Sequence, residues 1–373
     1  MQEDTVPKFV SFDPAFDEAI GPSASVRLLH RDPQGRPLFH EAGVHLATDH
    51  CVYLTSNRMP SKSYSQKINV VRIDLNTLDA KGIESALTVV DEADMPRSLA
   101  MPNGGTPYFD GKVLFCEQGR HGESAEGNGS VESALVSLSH KDMRTNVELD
   151  SFQGKPFSSL NDVVVHEQSG AVFFTDPDYG VEQNFKKDDK EYAPNGLYVW
   201  QPLTGKVELL DDRYCKPNGV TFVPDKTQPG KGTLITTETS QFRFQRDASA
   251  AMGSRFYEDR EKGGACLFAY PIEPSSEGRG GLPQVGERRL FAKSRSGIPD
   301  GVHPDDLGNV WAGHGDGVHV YGSDGRLIGK VLLEKGVANL CWAGPGPEKG
   351  TFRLLLFAEE ELYEATVAVN GRD

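Results

Sequence analysis

Six residues with an oxygen atom in the side chain recur along the chain, each beside a glycine or a short apolar run. They are Glu41, Asn103, Asn161, Asn218, Asp300 and Asn339. Two carboxylates and two amide carbonyls brought to one point would form a set of hard oxygen ligands, without thiolate or imidazole. Such a set suits Ca²⁺ best, with Mg²⁺ or Mn²⁺ as alternatives. The expected metal ligands are Glu41, Asn161, Asn218 and Asp300.

Each of these residues also has a simpler explanation. Asn-Gly, Asn-Asp and Asp-Gly pairs form turns, and here each pair stands where an apolar strand begins. One such residue would carry no functional information. Four at the same place in successive repeats favour a site at which the repeats converge.

The elements that must position these residues are predicted to be β-strands. Short runs rich in Val, Phe, Tyr and Thr, bounded by Gly, Pro, Asn and Asp, fill the chain, and helical periodicity is weak. The stretch at 298–320 shows the repeating pattern of strand, turn, strand, turn and strand. Further strands are expected to start near Asn69, Ser133, Asn195 and Cys266.

Six repeats of this kind predict an all-β fold, a six-bladed β-propeller with a central metal site. In a propeller the innermost strands face one channel, so equivalent residues of different blades meet although they are far apart in sequence. We expect one domain over residues 1–373. Residues 1–37 form an N-terminal arm, and its run at 25–30 supplies a strand that closes the ring. Residues 240–264, charged and weakly helical, form a surface excursion, with a smaller one at 181–194 beside it.

Charge and composition exclude some classes of partner. The net charge of −15 over 373 residues argues against binding nucleic acid or anionic membranes through a basic surface. The five cysteines are far apart and include no CxxC pair, which favours a reduced, cytoplasmic protein. The sequence shows no signal peptide and no run long enough to cross a membrane, although a trimmed secreted chain would look the same.

Several motifs together resemble the gluconolactonase and regucalcin (SMP-30-like) family of six-bladed propellers, and most closely its fungal lactonohydrolases. They cover nearly all of the chain after the first 35 or so residues. The motifs are FHEAGV at 39–44, PNGGT at 102–106, SLNDV at 159–163, FFTDPDYG at 173–180, KPNGV at 216–220, and IPDGVH with WAGHGDGVHVY within 298–321.

The resemblance implies a lactonase, an enzyme that hydrolyses a small-molecule lactone with a calcium ion held in the channel by Glu41, Asn161, Asn218 and Asp300. This chain departs from many members of that family at 237–239, where it has Thr-Glu-Thr in place of Thr-Asp-Thr or Asp-Ser. A divalent cation polarises a carbonyl and acidifies water, and Ca²⁺ does the second only weakly. A carboxylate base is therefore wanted, and Asp300 is the candidate. The residues expected to bind substrate or support the site are Asn103, Asp162, His303 and His314.

Alternatives remain open at this point. The same fold and metal could serve a phosphotriester hydrolase or a biosynthetic cyclase or isomerase, and a non-catalytic binding propeller is a third class. An apolar pocket beneath the 240–264 excursion would favour the cyclase, and a polar pocket would favour sugar lactones. A zincin motif is rejected, because His45 stands one residue too late after His40-Glu41 and Gly43 lies between them.

Overall fold

Six antiparallel blades surround a central channel in the computed structural model. It describes residues 7–62, 66–90, 94–96, 98–121, 129–188, 191–247, 249–250, 252–259, 261 and 263–371. Each blade begins at the channel, and successive strands run outward. The innermost strands of neighbouring blades contact one another all the way round, so the ring is closed. The predicted six-bladed propeller is confirmed.

The N-terminal arm and the first three blades end with Asp211. The arm contains β1 (Lys8–Ser11), α1 (Pro14–Ile20) and β2 (Ser25–Arg31). Blade 1 contains β3 (Glu41–Leu46), β4 (Cys51–Thr55), the short β5 (Met59–Pro60) and β6 (Gln66–Lys67), β7 (Val70–Asp74), α2 (Leu75–Lys81), α3 (Ile83–Ala86) and β8 (Leu87–Val90). Blade 2 contains β9 (Pro102–Tyr108), a 3₁₀ turn (Phe109–Gly111), β10 (Lys112–Glu117), β11 (Ala134–Ser139) and β12 (Thr145–Leu149), followed by the hairpin β13 (Ser151–Phe152) and β14 (Lys155–Pro156). Blade 3 contains β15 (Val163–His166), β16 (Ala171–Asp176), α4 (Tyr179–Glu182), β17 (Gly196–Gln201) and β18 (Lys206–Asp211).

The remaining blades follow the same plan. Blade 4 contains β19 (Pro217–Pro224), β20 (Gly232–Glu238), β21 (Phe242–Arg246), β22 (Ser254–Glu258), β23 (Cys266–Glu273), β24 (Gln284–Val285) and β25 (Arg289–Lys293). Blade 5 contains β26 (Val302–Pro304), β27 (Val310–His314), β28 (Gly317–Tyr321) and β29 (Leu327–Leu332). Blade 6 contains β30 (Asn339–Pro345), β31 (Phe352–Ala358) and β32 (Glu361–Val367). The strands expected near Asn69, Ser133, Asn195 and Cys266 are β7, β11, β17 and β23.

The N-terminal arm joins two neighbouring blades near the chain's end. Strand β2 pairs with β32 from Ser25↔Thr366 to Arg31↔Glu361, and it completes blade 6. Strand β1 pairs with β29 and adds a fifth strand to blade 5, which the sequence did not predict. Between them, Phe16 of α1 packs where a Cβ at Gly329 would meet its ring at 2.1 Å. The arm therefore clasps both blades.

The hydrophobic core lies between blades rather than inside one compact centre. Six clusters of buried side chains each draw on facing strands of two neighbouring blades. Between blades 5 and 6, the rings of Trp311 and Trp342 meet edge to face with their centroids 5.5 Å apart. Such burial stabilises each blade pair, so a blade depends on its neighbours.

The described residues of the 240–264 segment form no helix, contrary to the expectation from sequence. They contain the antiparallel hairpin β21–β22, in which Phe244 lies opposite Phe256. The charged residues between the aromatic ones resembled a helical face, but alternation of polar and aromatic side chains is the strand pattern. None of the helices in the described ranges is long and apolar enough to cross a bilayer. The five cysteines are free thiols.

Candidate active site

A cavity of about 330 Å³ lies at the end of the channel where the innermost strands begin. Glu41 is the first residue of β3, and Asn103 and Asn218 are the second residues of β9 and β19. Asn161 and Asp300 stand two residues before β15 and β26. All five side chains line the cavity, and together they are called the cavity floor.

Irregular backbone aims the floor residues into the channel. The pairing of β3 with β4 shifts register between Ala42 and Val44, and the pairing of β19 with β20 shifts between Pro217 and Val220. Such bulges turn side chains away from the regular pleat. At the first bulge both Ala42 and Gly43 have positive φ, at 64° and 88°. A Cβ at Gly43 would also lie 2.9 Å from the carbonyl oxygen of Leu340, so the close approach of blades 1 and 6 requires glycine.

The two floor carboxylates lie close together in a buried setting. One oxygen each of Glu41 and Asp300, with a ring nitrogen of His40, lie within 4.8 Å of one another. Burial, followed by the charge of Asp300, raises the pKa of Glu41 well above its usual value. Burial also raises the pKa of Asp300 to about 6. Two like charges in one buried place favour proton uptake or a cation between them.

The floor amides are short of hydrogen-bond partners. The Oδ1 atoms of Asn161 and Asn218 are buried, and neither has a partner among the described residues. The Nδ2 of Asn218 donates to the Tyr179 hydroxyl at 3.3 Å, which fixes the amide's orientation. A buried acceptor without a partner costs about 1–3 kcal/mol. Two carboxylates and two unpartnered amide oxygens facing one cavity fit a hard divalent cation.

Sequence reasoning missed a histidine–carboxylate pair beside the floor. The Nδ1 of His40 lies 2.9 Å from Oε1 of Glu359, and the Nδ2 of Asn57 donates to the same carboxylate. Burial alone would lower the pKa of His40, but the Glu359 carboxylate raises it to about 9. Rejecting a zincin helix motif left His40 without a role, although its position next to Glu41 was a usable signal.

Three predicted substrate-binding residues do not line this cavity, unlike Asn103. Asp162 accepts hydrogen bonds from the backbone N–H groups of Val163 and Val220, at 2.8 and 2.9 Å, and so ties blade 3 to blade 4. The Nε2 of His303 lies 3.0 Å from Oδ1 of Asn339. The Nδ2 of Asn339 in turn donates to Glu41 at 2.7 Å. Asp162 therefore joins blades 3 and 4, and His303 supports the floor residue Glu41 through Asn339.

His314 is also placed differently from the prediction. It is buried, its ring stacks on that of His319 with centroids 3.7 Å apart, and it hydrogen bonds to Ser294 and Tyr321. It lines a smaller pocket of about 160 Å³ that adjoins the cavity and shares His40 and Asp300 with it. The glycine turn between the two histidines brings their rings together inside blade 5. The pair is therefore buried and does not face solvent.

Glu238, the residue that departs from the family pattern, does not reach the floor. Its carboxylate accepts from the backbone N–H groups of Cys215, Lys216 and Ser240. Asp176 does the same for Ser158 and Ser159 in blade 3. These carboxylates at the ends of second strands hold the segment that leads into each innermost strand. The longer side chain of Glu238 therefore acts on backbone position.

Segments that follow the second strands of three blades cover the cavity. Because those strands run antiparallel to the innermost ones, they end at the same mouth of the channel. The Nε2 of Gln66 on β6 donates to the backbone oxygens of Gln183 after α4 and Met252 between β21 and β22. The excursion at 240–264 is thus tied to both neighbouring segments above the floor.

Fold and cavity define a class: six-bladed β-propellers whose polar side chains converge at one mouth of the channel. Residues 74–259 match the family described as SMP-30/Gluconolactonase/LRE-like region, and this part of the chain belongs to that family. The resemblance carried by the sequence motifs is confirmed.

Two curated relatives are similar to much of the chain. A gluconolactonase of Zymomonas mobilis is 24% identical over 246 residues, which cover 62% of this chain and 60% of that protein. Lactonohydrolase oryL of Aspergillus oryzae is 25% identical over 261 residues, covering 68% of this chain and 56% of that protein. The match therefore spans less than two thirds of the length of either relative.

Solved structures share the fold over nearly the whole chain. A gluconolactonase from Xanthomonas campestris superposes with a TM-score of 0.66 at 20% identity, covering 98% of this chain and 96% of that one. The calcium-binding protein regucalcin from Agrobacterium tumefaciens gives a TM-score of 0.57 at 17% identity, with 94% and 96% covered. At these identities the likeness concerns the fold.

Proposed function

We propose that this chain is a divalent-metal-dependent hydrolase that opens the ring of a small-molecule lactone. The observation that carries the proposal is the cavity floor, where the buried Glu41 and the half-buried Asp300 face two amide oxygens that have no hydrogen-bond partner among the described residues. The names of the curated relatives, gluconolactonase and lactonohydrolase, support the same reaction class. Ca²⁺ is the favoured ion, and Mg²⁺ or Mn²⁺ are alternatives.

Four floor residues would hold the ion: Glu41, Asn161, Asn218 and Asp300. Their two negative charges match one divalent cation, and the donor set is entirely oxygen. A cation bound there would withdraw electrons from the lactone carbonyl and lower the pKa of water. The regucalcin neighbour, described as calcium-binding, favours Ca²⁺ among the three ions.

The chain's own groups supply the proton transfers in this proposal. Asp300 accepts a proton from water as the water oxygen attacks the carbonyl carbon. The bond from that carbon to the ring oxygen then breaks. His40, held by Glu359, is the nearby donor that protonates the leaving ring oxygen. The net reaction adds one water and gives a hydroxy acid, and Asn103 would hydrogen bond to the substrate.

The test is acid release from a panel of lactones, followed by pH-stat with and without a chelator. We expect activity with Ca²⁺, loss of it in chelator and recovery on adding Ca²⁺ back. Asn218→Ala and Asp300→Ala should each lower kcat/KM by about 100-fold or more. The first variant removes a metal ligand, and the second removes a ligand that is also the proposed base. Full activity in chelator would rule the proposal out, and unchanged function in both variants would favour a binding propeller.

A non-hydrolytic cyclase or isomerase is the second candidate, because three phenylalanines cover the floor. An apolar cover excludes water from a reactive intermediate. The two candidates differ in whether water enters the product. Incorporation of ¹⁸O from labelled water into the product carboxylate supports the hydrolase, and its absence during turnover supports the cyclase.

A further inference from the structure

The hairpin β21–β22 presents an aromatic surface to the cavity. Side chains alternate along a strand, so Phe242, Phe244 and Phe256 share the face that lines the cavity, here called the aromatic roof. The ring centroids of Phe242 and Phe256 are 4.6 Å apart, and those of Phe244 and Phe256 are 5.8 Å apart. Phe256 remains 56% exposed.

A bare aromatic roof favours an apolar occupant. An apolar group beneath these rings would remove their exposed surface from water, which is favourable. The hydroxyl groups of a sugar lactone would find no hydrogen-bonding partner on phenylalanine rings and would lose water in exchange. The roof is therefore suited to an aryl or alkyl group.

Arg58 adds a positive charge to the cavity wall. Its Nη1 donates to the neutral side-chain oxygen of Gln66 at 2.9 Å, and its guanidinium carbon lies 5.2 Å from the centre of the Phe244 ring. Across the described ranges, no carboxylate lies within ion-pair distance of Arg58. Burial lowers the pKa of Arg58 to about 10, so the group still carries its charge at neutral pH.

The other charges of the cavity lining have partners. His40 is paired with Glu359, and Glu41 and Asp300 balance the proposed divalent ion. Among the described residues of the lining, Arg58 is then the charged group that forms no ion pair, and the charge of Glu359 acts on it from outside the lining. A half-buried arginine whose guanidinium lines a binding cavity is suited to recognise a carboxylate.

Resting on the proposed lactonase function, we propose that the substrate is a lactone with an apolar aryl or alkyl body under the aromatic roof and a carboxylate paired with Arg58. A neutral polyhydroxy lactone is the alternative that the experiment must separate. Arg58 and the three roof phenylalanines are specificity-determining residues in this proposal. The reaction that supplies such a substrate would build a lactone on an apolar acid.

The first experiment compares charged and neutral probes. Dihydrocoumarins carrying a carboxylate at each free position of the aromatic ring are assayed beside their carboxamides and δ-gluconolactone. We expect the wild type to prefer at least one carboxylate probe. Arg58→Gln should lower kcat/KM for that probe by on the order of 10- to 100-fold while changing the carboxamide by less than about threefold. Arg58→Lys should restore part of the loss.

Matched controls separate specificity from damage to the fold. Arg255→Gln removes an arginine of the same hairpin that pairs with Asp247 outside the cavity, and it should leave both probes unchanged. Phe256→Ala should weaken the aryl probes about fivefold and leave γ-butyrolactone unaffected. Tyr257→Ala removes an exposed aromatic ring from the opposite face of the same strand and should have no effect. Thermal melting checks that each variant folds.

Binding of a probe that cannot be opened distinguishes this inference from the lactonase proposal. The lactam analogue of the preferred carboxylate probe is titrated calorimetrically into wild type and Arg58→Gln. Tighter binding to wild type supports the inference even if no lactone is hydrolysed, a result that would defeat only the lactonase proposal. Equal losses for carboxylate and carboxamide probes, or a preference for δ-gluconolactone, would overturn the inference and leave the lactonase proposal standing.

Discussion

Asn161 and Asn218 differ from ordinary buried amides, since the Oδ1 of each has no partner at the cavity floor within the part of the chain that the structure describes. Most buried acceptors in folded proteins are paired, so an unpaired one has a reason. Here both stand at the same position of adjacent blades beside two carboxylates. This arrangement of the two amide oxygens beside the carboxylates favours a shared ligand over two separate packing defects.

Calcium should therefore stabilise the protein through these oxygens. At a Ca²⁺ concentration of 100 times Kd, the free energy of unfolding should rise by about 2.7 kcal/mol. Asn218→Ala should remove most of that rise and change stability in chelator by no more than about 1 kcal/mol, because the lost oxygen has no partner among the described residues and the lost Nδ2 gives up a 3.3 Å hydrogen bond to Tyr179. Thermal melts with and without Ca²⁺ measure both. Asn146→Ala, an exposed amide in blade 2, is the control, and an undiminished Ca²⁺ effect in Asn218→Ala would contradict the assignment.

Gly104 should be as important as the ligands, although it has no side chain. A Cβ there would lie 2.5 Å from the backbone oxygen of Asn161 and 2.5 Å from Oδ1 of Asp162. Gly104→Ala must push Asn161 out of place, so we expect kcat/KM to fall about 10-fold or more. Gly129→Ala, with open space around it, is the matched control. Equal lactonase activity in both variants would show that the floor tolerates this shift.

At the scale of elements, strands β27, β28 and β29 enclose a buried pair of histidines. His314 stacks on His319, whose Nε2 bonds to Asp316 at 2.7 Å, and Lys330 bonds to the same carboxylate at 2.9 Å. Burial, and then the neighbouring His319, hold the pKa of His314 well below its usual value. The folded protein therefore keeps His314 neutral at a pH where the unfolded chain would protonate it.

This pair should make blade 5 sensitive to acid. In the unfolded chain the histidine has a pKa of about 6.5. The contribution of His314 to the free energy of unfolding is present in full above that pH, and it is lost as the pH falls below it, by up to about 1.4 kcal/mol per pH unit. Asp316 has a lowered pKa and would act in the same direction only at lower pH. Denaturant unfolding at pH 7 and pH 5 should show a shallower loss for His314→Gln than for wild type. Identical slopes would mean that His314 takes up its proton in the folded state.

For the whole molecule, the N-terminal arm is expected to control ring closure. Removing residues 1–12 deletes β1 and exposes part of β29, whereas removing residues 1–31 also uncovers β32, the long edge of blade 6. Unpaired edges promote association. We expect the shorter deletion to stay monodisperse and to lose a few kcal/mol, and the longer one to aggregate, as measured by size-exclusion chromatography. A soluble, active protein lacking residues 1–31 would show that blade 6 closes without β2.

Much of this architecture could be predicted, because strand patterns and turn residues are local. Glu41, Asn103 and Asp300 stand where innermost strands begin, and their equivalence follows from the repeat. The aromatic roof was missed because charged residues between Phe242 and Phe256 resembled a helical face. The pairing of His40 with Glu359 joins residues from opposite ends of the sequence, so only ring closure reveals it.

The segments that cover the cavity are insertions between a blade's second and third strands, whereas the floor comes from the innermost strands themselves. The hairpin β21–β22 could therefore be exchanged, lengthened or lost without breaking any ladder of the ring. A family built on this plan can acquire new substrates by replacing one insertion while the residues of the cavity floor stay the same. Divergence among relatives should then concentrate in these insertions, and a hairpin grafted from one propeller to another should carry its substrate preference with it.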